Sequence, residues 1–174
     1  MIIGFFLLAF IFVFRAYINF NQKGLKSGLV GMVSGDRYPN WESKEEVSPM
    51  DYHVLSRNGL YFSKVYLIKR ATHFQVRFRI AYAVPFMHQD LLNDTKWIIT
   101  DSAGNDYTNN IVVYTAQIAG LNCINVTLVL DEGAFSVLSG KEITFSAICS
   151  GSDYENSGIE NSYAHCTTKI FFPE

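Results

Sequence analysis

The first fourteen residues, MIIGFFLLAFIFVF, carry no charge, and Gly4 is the one position that is not apolar. A run of this kind has no polar side to turn toward water, so something apolar must surround it. Fourteen helical residues reach about 21 Å, short of the ~30 Å hydrocarbon core of a bilayer. Continuing through Phe20 reaches about 30 Å, provided the Arg15 side chain turns toward the headgroups. Tyr17 then sits at headgroup depth. On this reading residues 1–20 form an uncleaved, single-pass transmembrane signal-anchor. Two alternatives stay open: a cleaved signal peptide and an apolar helix buried in a partner. A signal peptide opens on basic residues and closes at a small-x-small site. Neither is present here, since the sequence after the run is FRAYINFNQ. Arg15, Lys23 and Lys26 all lie on the C-terminal flank of the run, a bias that favours keeping that flank cytoplasmic.

Residues 21–50 read as a connector. Gly24, Gly28, Gly31 and Gly35 recur at intervals of four, three and four. On a helix they line one face, the arrangement that lets two helices approach closely and supports self-association or packing on a partner. As a flexible Gly/Ser linker the same residues need no partner, because each Gly costs a helix about 1 kcal/mol relative to Ala. Pro39, Pro49 and the charged run Glu42-Ser43-Lys44-Glu45-Glu46 mark an exposed loop, which sets the domain boundary near residue 50.

Behind that boundary, over residues 51–174, the hydrophobic period changes to two. Phe74, Val76, Phe78, Ile80 and Tyr82 alternate with His73, Gln75, Arg77 and Arg79, so the first set faces a core and the second faces out. Ile124, Val126, Leu128 and Leu130 repeat the pattern around Asn125 and Thr127. Further runs are Leu60 to Ile68, Trp97 to Asp101, Ile111 to Ile118, Ala134 to Leu138, Glu142 to Cys149 and Cys166 to Phe172. Turn residues separate them, including Asn58-Gly59, Ala103-Gly104-Asn105 and Ser139-Gly140. Seven or eight short strands so punctuated predict an all-β fold, an antiparallel β-sandwich behind one N-terminal helix.

The stretch from Gly59 to Ala147 resembles the immunoglobulin-like extracytoplasmic domains of small membrane-anchored bacterial proteins. An aromatic first strand, a strongly alternating second strand and a strand closing in a D-x-x-G-x-x-Y turn, here Asp101 to Tyr107, carry the likeness. The resemblance covers about half the chain, and the lipid-attachment cysteine that many such proteins carry near the N-terminus is absent. It implies an extracytoplasmic location at a membrane and no particular chemistry.

The candidate chemical residues are few. Cys149 and Cys166 share the parity of core residues and flank the same loop, so they form either one disulfide, adding about 3 kcal/mol in the chain-entropy picture, or two buried thiols. Cys123 has the parity of Asn125 and Thr127 and is expected to face outward or sit at a strand end. Asn93-Asp94-Thr95 and Asn125-Val126-Thr127 match the N-glycosylation sequon, with both asparagines expected to be accessible. A zinc site would need Cys123, Cys149, His165 and Cys166 to converge without zinc-finger spacing. Asp101, Asn105 and Asp106 suit a turn better than Ca²⁺. His88 and Asp90 have no assignable nucleophile. The chain has no P-loop, G-x-S-x-G or H-E-x-x-H motif, so neither a metal nor another cofactor is expected. A net charge of −2 disfavours a nucleic-acid partner. The expectation is a non-enzymatic, membrane-anchored protein-binding module. The alternative is a structural subunit of a membrane complex or surface filament. An apolar helix ahead of a β head is similar to pilin architecture, although the acidic residue near the start of the pilin helix is missing.

Overall fold

The computed structural model describes residues 2–22, 46–70, 72–82, 95–118, 121–149 and 164–174. The chain begins with helix α1 (Ile2–Gln22). Strands β1 (Glu46–Met50), β2 (Tyr52–Asn58), β3 (Leu60–Phe62), β4 (Val65–Lys69) and β5 (Phe74–Tyr82) follow. Then come β6 (Thr95–Asp101), β7 (Ile111–Ile118), β8 (Leu121–Leu130), helix α2 (Glu132–Leu138), β9 (Glu142–Cys149) and β10 (Ala164–Phe171). The strands form two antiparallel sheets. One runs β1-β4-β5-β8-β7 with β3 also on β5, and the other runs β2-β10-β9-β6.

The alternation read from the sequence fills the space between the sheets. Val76, Phe78 and Ile80 of β5 and Ile124, Val126, Leu128 and Leu130 of β8 share one buried cluster with Ile143, Phe145 and Ala147 of β9. Phe78 meets Phe145 edge to face at 4.7 Å between ring centres, and Phe62 stacks on Phe78 at 4.6 Å. This offset and edge-on geometry suits the ring quadrupoles.

Three expectations about the strands are corrected. The run from Leu60 to Ile68 is two strands, not one: β3 pairs the end of β5 and β4 pairs its start. Ser63 makes the break, because its backbone N–H bonds Arg79 O at 2.9 Å while its hydroxyl accepts from Arg79 N at 2.8 Å. Residues 134–138 belong to a helix. Asp131 caps it, with Oδ1 accepting from Ala134 N at 2.7 Å, and Gly140 at φ +68 follows it in the left-handed region. Phe135 stacks flat on Phe74 at 3.8 Å, and Leu138 is fully buried, so α2 closes one end of the core. The β domain also starts before residue 51, since β1 pairs β4 from Glu46↔Lys69 to Met50↔Val65.

Cys149 and Cys166 do face the core, but as thiols with no disulfide between them. The β9–β10 register sets Cys149 opposite Ala164 and Cys166 opposite Ala147. That makes the cysteines diagonal neighbours, about 7–8 Å apart at Cα, beyond the ~6.8 Å a disulfide spans. Thr95 Oγ1 lies 2.9 Å from the Cys149 sulfur, and Thr168 Oγ1 lies 3.4 Å from that of Cys166.

Among the described residues no helix is long and apolar enough to cross a membrane, which corrects the transmembrane span expected over residues 1–20. The helix is where the sequence places it, but its last turn is used elsewhere. Phe20 and Asn21 are buried against the β domain. Residues 2–17 extend roughly 24 Å, less than the ~30 Å of a bilayer core.

Candidate functional site at the root of the N-terminal helix

Parity alone sends Gln75, Arg77 and Arg79 of β5 and Asn125 and Thr127 of β8 to the outside of the first sheet. They are there, and all five are buried, none more than 5% exposed. Register pairs Arg77 with Thr127, Arg79 with Asn125 and Ala81 with Cys123. Arg77 donates to Gln75 Oε1, and Gln75 Nε2 lies 2.7 Å from His73 Nε2. Arg79 donates from Nε to Asn125 Oδ1. The face is a buried polar layer.

The last turn of α1 sits on one end of this layer. Phe20 packs on Ala81 and Cys123 in a small apolar cluster of its own. Arg79 Nη1 donates to the carbonyls of Asn19 at 2.9 Å and Phe20 at 3.1 Å. The last four carbonyls of a helix have no partner within it and carry the negative end of its dipole, so a guanidinium there both satisfies and neutralises them. Asn21 adds a second tie. Its Nδ2 donates to Tyr17 O at 3.0 Å, and its Oδ1 accepts from Lys64 N at 2.9 Å. The helix is therefore joined to the sheet by a charged cap, a side-chain clasp and an apolar contact.

Burial governs the electrostatics of the junction. It draws the Arg79 guanidinium below its usual range, against the opposing influence of Cys123 and Tyr114. It pushes the Cys123 thiol up, partly offset by Arg79. Tyr114 is also raised by burial, with Arg77 and Arg79 pulling the other way. Cys123 thus has the outward parity expected of it and is nonetheless covered. Asn125 is corrected as a glycosylation site: it is 4% exposed and holds Arg79, leaving no room for a glycan.

From the root, α1 projects as a stem. Phe6, Leu7, Leu8, Phe10, Ile11, Phe12, Val13 and Phe14 are each more than half exposed. Successive residues of a helix point 100° apart, so these eight positions present apolar surface on every side. Phe10 and Phe14 stack on each other at 6.0 Å. Arg15 is exposed at the foot, as is Tyr17, and burial together with the nearby Tyr17 raises the Tyr52 phenol.

The other singled-out residues do not converge. Asp101 closes its turn: Oδ1 accepts from Ala103 N and Asn105 N, both at 2.9 Å, and Oδ2 from Asn105 Nδ2 at 2.8 Å. The Asn105 side chain is the main cause holding this carboxyl below the usual range, with the backbone N–H groups adding to it. Gly104, at φ +87, supplies the left-handed residue the turn requires. Cys123 lies outside the first sheet while Cys149 and Cys166 lie in the core, so no zinc set forms from them. Among the described residues no three His, Cys, Asp or Glu side chains are grouped to hold a metal ion. Gly24, Gly28, Gly31, Gly35, His88, Asp90 and Asn93 lie outside the described residues.

Arg79, Asn21 and Ser63 are the residues that sequence reasoning missed. The available signal was the abrupt polar ending of an apolar helix, Asn19-Phe20-Asn21-Gln22, together with two arginines on one strand face. No family model, no curated protein and no solved structure matches the chain.

Proposed function

We propose that the protein is a non-enzymatic, membrane-seated module that holds a β head in a fixed pose on an apolar stem, with the head free to bind a protein partner. The observation that carries this is the root of α1. A helix serving only as a tether needs no fixed angle to its domain. Here Arg79, Asn21 and Phe20 fasten the stem to the sheet, so the apolar surface and the head move together. The sequence of layers supports an immunoglobulin-like reading of the head. The orders β4-β5-β8-β7 and β6-β9-β10 match the four-and-three strand arrangement of immunoglobulin constant domains, with β2 and β1 added at the edges. Trp97 on β6 packs at 6.0 Å from Phe145, in the place where those domains put a buried tryptophan. The Phe78–Phe145 contact stands where antibody domains have their inter-sheet disulfide.

A partner would be met by the outer face of the second sheet. Thr144, Ser146, Thr167, His165 and Lys169 lie there, partly exposed, and Ser146 and Thr167 pair hydroxyl to hydroxyl at 3.2 Å. Fractionation of cells that make the full chain tests the reading. The protein is expected with the membranes, released by detergent and not by high salt; a protein found wholly in the soluble fraction overturns it.

A further inference from the structure

The stem can be buried by partner helices or by lipid, and its surface distinguishes them. Helices that pack closely in a membrane meet through small residues, because only these let the backbones approach. Between Phe6 and Phe14 the side chains are Phe, Leu, Ile and Val, with Ala9 the sole small one. A single flat protein surface would cover one side of this helix and leave the others wet. Acyl chains wrap it on all sides without needing a shaped groove.

The foot of the stem adds a small net positive charge. Arg15 is exposed on the helix. Lys64, whose backbone N–H holds Asn21, carries an exposed side chain beside the root. Tyr17, exposed at the foot, is an aromatic residue of the kind common at membrane interfaces, while Tyr52 near it packs on Phe62 against the core. Asp51 adjoins Tyr52 in sequence, so these groups sum to one net positive charge. The whole chain carries −2, so its overall charge supplies no attraction to an anionic surface.

Resting on the membrane-seated reading above, we infer that the stem enters one side of a lipid bilayer without crossing it, and that the Arg15–Lys64–Tyr17 collar seats on anionic headgroups. The roughly 24 Å projection is long enough to reach past the middle of the hydrocarbon and too short to emerge. The fixed root then sets the distance of the β head from the lipid surface.

Flotation of the purified full chain with vesicles tests this, using phosphatidylcholine alone and phosphatidylcholine with phosphatidylglycerol. Binding is expected to be tighter on the anionic vesicles, to weaken with added salt, and to fall about fivefold in Arg15→Ala. Phe10→Asp, at an exposed site and with its folding checked by circular dichroism, is expected to abolish binding. A Phe10→Trp variant is expected to be quenched by bromine in the acyl chains and shielded from aqueous iodide. Equal binding to both vesicle types overturns the anionic collar but leaves the membrane-seated reading in place. Failure to bind either vesicle, with the protein still found in cell membranes, overturns lipid as the occupant and points to partner helices. Absence from vesicles and from cell membranes overturns both.

Discussion

The outward faces of the two sheets come from the same kind of sequence and meet opposite fates. In β5 and β8 the outward residues are Gln75, Arg77, Arg79, Asn125 and Thr127; in β9 and β10 they are Thr144, Ser146, Thr167 and Lys169. Each set alternates with core residues in a way that predicts a solvated side. The second set is partly exposed, and its Lys169 pairs with Glu142 where both are about one-third exposed. The first set is buried, and Arg79 there serves the carbonyl end of a helix from the other end of the chain. Polarity at an outward position thus reports only that a group needs hydrogen-bond partners. It does not report whether water supplies them.

The sharpest way to break this contrast is at Arg79. Arg79→Ala leaves the Asn19 and Phe20 carbonyls and Asn125 Oδ1 without their donor in a buried site, with an expected loss of about 3 kcal/mol in urea unfolding. Arg79→Lys keeps the charge but cannot serve both the helix end and Asn125 in the same fork geometry, so it is expected to recover only part of that loss. An Arg79→Ala variant as stable as the parent would place the helix root outside the folded unit.

A second test asks whether α1 is the cover. Cys123 lies under Phe20. In Phe20→Ala, alkylation of Cys123 under native conditions is expected to quicken on the order of tenfold, with Cys149 and Cys166 unchanged in the core. The pH dependence has a definite sign. Burial raises the Cys123 thiol above its ordinary 9.0, so the folded state holds that proton longer than the unfolded chain does. The contribution to stability is full below about pH 9 and is lost as pH rises through the raised folded value. Alkylation of the parent is therefore expected to climb only on the alkaline side of 9. A rate in Phe20→Ala equal to the parent's would show that the thiol is protected by something else.

The smallest effect belongs to the exposed face. Lys169→Ala removes the ion pair to Glu142, and the expected change is below about 1 kcal/mol and weaker still in high salt. A loss comparable to that of Arg79→Ala would mean the two faces are equivalent after all.

Much of the β domain was legible because period two is a local property. Ile111–Ile118 and Glu142–Cys149 end where the sequence predicts, since turn residues bound them on both sides. The short helix α2 was misread because five residues cannot establish a period, although Asp131 three places before Ala134 is an ordinary N-cap signal. The Cys149–Cys166 disulfide failed on register. Parity gives the face a residue takes, but its partner along the neighbouring strand depends on the connection between them. Asn125 failed for another reason: accessibility depends on what packs above a strand, and here that includes Arg79 and the end of α1.

The sequence alone determined that an uninterrupted apolar run leads into an antiparallel, all-β head, because hydrophobic period and turn chemistry are written locally. Only the tertiary structure decided what the end of that run does. Asn19, Phe20 and Asn21 lie some forty to a hundred residues in sequence from Lys64, Arg79 and Cys123, which hold them. A helix end does not specify which distant guanidinium will satisfy its carbonyls. Folding brings that partner into place, and in doing so it shortens a run that otherwise reads as a membrane span into a stem fixed to a β head.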